Sequence, residues 1–277
     1  MSVFSKIFRS HSRCNIIGML HLPALPGTPA SNMTMTEIID RVEHETMVYN
    51  RCGVDGVIIE NMHDTPYCHA RDMEPHVSSC MAVIGARVRS LMPETTPVGV
   101  QVLAAANKEA LAVALAAGLQ FIRAEGFVFG HVADEGWIDA CAGPLLRYRH
   151  AIGADHVGVL CDIKKKHSAH SVTADVNIIE TAKAAQFFRS DGVIITGDAT
   201  GHQADRGQVN AVLHGVPDMP VLVGSGVTAG NLQHYSQAHG LIIGSEFKVG
   251  GKWENDLDLE RIKAVVAEAQ KYRQQST

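Results

Sequence analysis

Short apolar runs recur along the chain, each followed by a polar or glycine-containing turn and then by a longer stretch with helical spacing. The runs fall at Asn15–Leu20, Gly56–Ile59, Val98–Val102, Gln120–Ala124, His156–Cys161, Gly192–Ile195, Pro220–Val223 and Leu241–Ile243. Runs that are apolar on both faces and bounded by turn residues are the pattern of parallel strands covered by helices. Helices are predicted over Thr36–Cys52, up to Leu91, Asn107–Ala117, Ala140–Ile152, Asp175–Arg189, from Asp205, and Asp256–Tyr272. The second starts within the loop after Glu60, and only a short helix-like spacer separates the last two strands. Eight strand-then-helix units of about 30 residues predict a closed α/β architecture, a (β/α)8 barrel, as one domain over 15–277. A doubly wound open sheet is the alternative the alternation leaves.

The last two strands each end in a small-residue turn, Gly224-Ser225-Gly226 and Gly244-Ser245. Glycine lets the backbone take positive φ and approach a ligand closely, and backbone N–H groups in such turns cradle anions. In barrels of this size a phosphate commonly sits between the loops after strands 7 and 8. Gly224, Ser225, Gly226, Gly244 and Ser245 are therefore the expected phosphate-binding residues, against the plainer reading of two tight connections.

Composition narrows the class. The chain has 277 residues, 46% of them apolar, enough for a large core, and a net charge of −5 that gives no basic field for nucleic acid. Six scattered cysteines without a CxxC pair imply reduced thiols inside a cell. No apolar run reaches the roughly 20 residues that span a bilayer. Residues 1–14 form an extension with Lys6, Arg9 and Arg13, and no acidic residue precedes Glu37. Val3, Phe4, Ile7 and Phe8 fall at helical spacing. Two readings follow: a short mitochondrial targeting segment, or a helix closing the bottom of the barrel. Otherwise the expected location is the cytoplasm.

Barrel closure brings the C-terminal strand ends to one mouth. In order these ends supply His21, Glu60, Asn61, Gln101, Arg123, Glu125, Asp162, Lys164, Thr196, Asp198 and Thr200. Polar groups at so many strand ends are costly unless they face water or a ligand. Glu60, Glu125 and Asp162 are the candidate acid/base groups, and the same carboxylates suit a divalent metal. Arg123 and Lys164 complete the catalytic candidates by neutralising that cluster or stabilising oxyanion charge. Structural pairs, Glu60 with Lys164 or Arg123 with Asp162, are the competing reading. The 15 histidines form neither HExxH nor a zinc-finger spacing, and no Walker or GxSxG motif is present.

Ile16–Pro29, Gly53–Tyr67, Asp191–Gly201, VLVGSGVTAGN and GLIIGSEFKVGGKWENDLDLERI resemble the BtpA family, and the intervening lengths fit over nearly the whole chain. That resemblance implies a TIM barrel of the phosphate-binding type. The family takes its name from the accumulation of photosystem I proteins in cyanobacteria, but relatives also occur without photosynthesis, so the role does not transfer. The expectation is an enzyme of isomerase or lyase type acting on a small phosphorylated metabolite, a sugar phosphate or a nucleotide-derived ligand. No cofactor is called for by motif, and the chain is compatible with a homo-oligomer. The rival expectation is a non-catalytic assembly or regulatory factor that uses the barrel to sense a ligand. A flavin-binding barrel fits less well, because no aromatic platform for the ring is evident.

Overall fold

The computed structural model describes residues 3–8, 13–197 and 199–273. Eight parallel strands close into a barrel: β1 (Asn15–His21), β2 (Gly56–Glu60), β3 (Val98–Gln101), β4 (Phe121–Ala124), β7 (Gly158–Ile163), β9 (Gly192–Ile195), β10 (Val221–Val223) and β11 (Gly240–Ile243). Register from β1 to both β2 and β11 seals it. Around it run α2 (Met35–Cys52), α3 (Pro75–Leu91), α4 (Asn107–Ala117), α5 (Ala142–Ala151), α6 (Ile178–Phe187), α7 (Arg206–Gly215) and α8 (Leu259–Arg273). Between β10 and β11 the spacer forms only a 3-10 turn, Leu232–Tyr235. The fold is a (β/α)8 TIM barrel.

Local chemistry explains the helix limits. Thr34 accepts from the Glu37 amide and the Glu37 carboxylate reaches back to the Thr34 amide, a reciprocal cap that starts α2. Asp205 caps α7 through the Gln208 amide at 2.7 Å. Gly53 and Gly118 take left-handed conformations that end α2 and α4.

The strands alternate strictly. Ile16, Val57, Val98, Ile122, Val159, Val193, Val221 and Leu241 point outward into the apolar layer shared with the helices. Ile17, Met19, Ile58, Phe121, Leu160, Ile194, Leu222 and Ile242 fill the barrel interior as a separate cluster. That inner cluster is completed from below by α1 (Val3–Ile7), whose Phe4 stacks on Phe8 with centroids 4.7 Å apart. Phe8 in turn meets Phe121 at 5.5 Å. The N-terminal residues described here therefore close the bottom of the barrel.

Two features differ from the strand and loop limits expected from sequence. The fifth barrel strand continues to Ile163 rather than stopping at Cys161, which places Asp162 inside the strand. The long segment after β4 is a hairpin, β5 (His131–Ala133) and β6 (Gly136–Ile138), which pairs antiparallel with β8 (Ser168–Ala169). Three-residue strands are too short for their alternation to stand out in the sequence. No helix among the described residues is long and apolar enough to cross a membrane.

Candidate functional site

One step beyond the apolar interior cluster, the same inward-facing positions become polar: His21, Glu60, Gln101, Arg123, Asp162 and Thr196, with Gly224 and Gly244 completing the ring. Above them lies a cavity of about 500 Å³. Glu60, Gln101, Arg123 and Glu125 line it together with Lys165, Lys166 and all five residues expected in the phosphate turns. The rim is formed by Asp134 and Glu135 from the β5–β6 turn, by His167, and by Trp253. Asp198 lies outside the described residues.

The charged groups divide by how firmly they are held. Arg123 donates from Nε and Nη2 to both oxygens of Asp162, each at 2.9 Å, and the Asp162 side chain is only 1% exposed. Burial opposes the Arg123 charge, but Asp162, Glu60 and Glu125 outweigh it and push its pKa up. Asp162 does not reach the main cavity; it borders a side cavity of about 20 Å³ with Lys164. The expected meeting of three carboxylates is thus a meeting of two, Glu60 and Glu125, with Asp162 holding Arg123 from behind. The physical reason is the partner: Asp162 shares the inward ring with Glu60 and Arg123, and its two oxygens are both taken by the Arg123 guanidinium.

Lys164 departs from expectation in the same way. It sits at φ 47° and its Nζ donates to the Thr173 carbonyl at 2.8 Å, away from the main cavity. It pairs with neither Glu60 nor Asp162. The two lysines that do line the cavity, Lys165 and Lys166, lie beyond the end of the strand, in the loop that follows it. The polar loop itself was the available signal, but contacts with Thr173, Glu125 and Thr196 separate its three lysines.

Glu125 is fully engaged: Lys165 Nζ lies 3.2 Å from Oε1, and the Ala105 amide donates to Oε2 at 3.0 Å. Burial raises its pKa, yet Lys165, Arg123 and these hydrogen bonds prevail and hold it below the usual carboxylate value. Glu60 contrasts with it. The His21 ring lies closest, Nε2 to Oε2 at 3.6 Å, and burial raises the Glu60 pKa despite the fields of Arg123 and Lys166. His21 is neutral, pushed down to about 3 by burial and then by Lys248 and His63. Asn61, by contrast, is structural: it accepts from the Leu103 amide at 2.8 Å and donates to Asp64 at 3.0 Å. Gln101 Oε1 is buried and unpartnered among the described residues.

Both glycine turns line the cavity, and one of them carries an added constraint. No hydrogen bond occupies the amides of Ser225 and Gly226 among the described residues. Ser245 opens a 3-10 turn, Ser245–Phe247, whose first amides have no partner within the turn. Gly226 has φ +65°, and a Cβ there would lie 2.5 Å from both the Gln203 Cα and the His202 carbonyl carbon. Its lack of a side chain serves backbone packing as well as any ligand, so a larger residue there disturbs the fold. A Cβ on Gly244 would meet the His21 ring at 3.0 Å. Among the described residues, no group of three or more His, Cys, Asp or Glu side chains converges as a metal-holding set.

A closed parallel barrel with paired glycine turns above its last two strands defines the class. The chain belongs to the BtpA family, whose model matches residues 12–271. A Caenorhabditis elegans protein bearing the label mitochondrial is 52% identical over 94% of each chain. The photosystem I biogenesis protein BtpA of Synechocystis is 32% identical, covering 94% of this chain and 88% of its own. Among solved structures, KGPDC from Streptococcus mutans superposes with a TM-score of 0.59 at 11% identity, over 94% of this chain and 99% of the other. A phosphoribosyl anthranilate isomerase in complex with a reduced deoxyribulose 5-phosphate derivative gives 0.53 at 11%, over 93% and 99%. At such identities these two likenesses carry the fold.

Proposed function

We propose that this protein is an enzyme acting on a small phosphorylated metabolite, with the phosphate held by backbone amides of Ser225, Gly226 and Ser245 and proton transfer performed by Glu60. The observation that carries the reading is one cavity lined both by open amide turns and by a buried carboxyl group whose pKa is raised. Such a group keeps a proton closer to neutral pH than an ordinary carboxylate and can donate and recover it. Arg123, fixed by Asp162, supplies a preorganised positive charge for an oxyanion that develops beside Glu60. Glu125, ionised and braced by Lys165, positions that lysine. Isomerisation or lyase chemistry on a sugar phosphate suits this set. The solved structures named above include a phosphoribosyl isomerase holding a sugar-phosphate derivative, which supports this ligand class.

The test is a thermal-shift screen with inorganic phosphate, ribose 5-phosphate and related sugar phosphates. Stabilisation is expected for the wild type and its loss in Ser245→Asp, because a carboxylate in the cradle repels the anion. Equal stabilisation of both proteins would place the ligand elsewhere, and no stabilisation with any phosphate would favour the assembly-factor reading that the name of the Synechocystis relative suggests. The label on the C. elegans relative and the basic N-terminus support a mitochondrial location; a C-terminal fluorescent fusion found only in the cytosol would refute it.

A further inference from the structure

Three consecutive lysines leave β7, and each meets a different environment. Lys164 is tied to the Thr173 carbonyl, and Lys165 is paired with Glu125. Lys166 is held through its backbone, whose amide donates to Thr196 Oγ1 at 3.0 Å, while the following residues are pinned by β8 to the β5 strand. Its side chain lines the main cavity and is half-buried. Among the described residues no carboxylate lies within ion-pairing distance of its Nζ and no hydrogen bond holds it. An ammonium ion taken out of water without a partner is unfavourable, so the neutral amine gains population there. Burial and then the Arg123 charge depress the Lys166 pKa, against the fields of Glu60, Asp162 and Glu125. An amine whose charge is disfavoured, in the same cavity as a carboxyl group whose pKa burial raises, is the pairing needed for condensation with a carbonyl.

We propose that Lys166 is a nucleophile that forms a Schiff base with the carbonyl carbon of a phosphorylated aldehyde or ketone bound in this cavity. The proposal rests on the phosphorylated-metabolite reading and deepens it. The Nζ lone pair forms the C–N bond as the carbonyl π pair moves to oxygen. That oxygen takes one proton from the nitrogen and a second from Glu60, and leaves as water when the C=N bond forms. The iminium retains the other nitrogen-bound proton, and Glu60 is left as carboxylate, ready to abstract a proton from the adjacent carbon. The unpartnered Gln101 Oε1 in the same cavity supplies an acceptor for a hydroxyl of the substrate.

Pyridoxal and pyridoxal 5′-phosphate serve as carbonyl probes of the full chain, with borohydride reduction and peptide mass spectrometry to locate the adduct. Lys166 is expected to label at least about tenfold faster than the exposed Lys252, with a midpoint below the ordinary lysine value of 10.5. Lys166→Arg should remove this fast phase while keeping the charge. Labelling of Lys166 by both probes no faster than Lys252 would overturn the proposal and make the residue a cationic ligand contact. Ser245→Asp separates the two readings: it should slow the phosphorylated probe alone. If it slows neither, the phosphate cradle fails while the nucleophile stands.

Discussion

At the N-terminal end of the strands the barrel interior is closed by Phe4, Phe8, Ile17, Ile58, Phe121, Leu160, Ile194 and Leu222. Two residues further along the five strands that carry Ile58, Phe121, Leu160, Ile194 and Leu222, the equivalent inward positions hold Glu60, Arg123, Asp162, Thr196 and Gly224. The backbone geometry is the same in both layers, and only the side chains differ. The lower layer gains its stability by removing apolar area from water, which asks for no particular partner. The upper layer buries charge, so each group needs a specific counterpart or its pKa moves. Asp162 and Glu125 found theirs, whereas Glu60 and Lys166 did not. The difference teaches where function can reside: in the groups of a buried layer that the fold leaves uncompensated.

The comparison breaks most sharply at the Arg123–Asp162 pair. Asp162→Asn leaves a buried guanidinium without its counter-ion, and such losses cost about 3–5 kcal/mol. A drop in melting temperature of many degrees is expected by calorimetry, with the Arg123→Met, Asp162→Leu double variant losing much less than the two single changes summed. An unchanged melting point for Asp162→Asn would mean that the pair does not hold the upper layer together.

At the other end, Phe8→Ala should cost about 3 kcal/mol by opening a cavity against Phe121. Because the lower layer has no electrostatic link to the mouth, sugar-phosphate stabilisation should persist in this variant once its lower melting point is allowed for. Loss of ligand binding with the fold intact would show the two layers to be coupled.

The smallest effect on stability should come from Glu60→Gln. A carboxyl group with a raised folded-state pKa stabilises the fold fully only below its unfolded value near 4.5, and that contribution is lost as pH rises through the folded value. Replacing it with a neutral amide removes the loss, so the variant should melt at or slightly above the wild type at pH 7. The gap should close as pH falls below about 4.5. Proton transfer should vanish at the same time. A clear destabilisation at pH 7 would make Glu60 a structural partner instead.

Much of this was legible along the chain. Eight apolar runs alternating with helical stretches pointed to a parallel sheet covered on both faces, and their number favoured the closed barrel over an open sheet. Strand ends supplied Glu60, Gln101, Arg123 and Glu125, and the glycine turns supplied the amide-bearing wall of the same cavity, since both follow from local backbone rules. The tertiary structure alone decided how the charges pair. Whether Asp162 faces the cavity or Arg123 depends on the neighbouring strand that brings Arg123 alongside, and the fates of Lys164, Lys165 and Lys166 depend on Thr173, Glu125 and Thr196. Those outcomes are set by contacts between residues about 40 apart, such as Arg123 with Asp162, and by burial that shifts a pKa only once the barrel has closed. Local sequence encodes which groups are available; long-range packing determines which of them remain free to react.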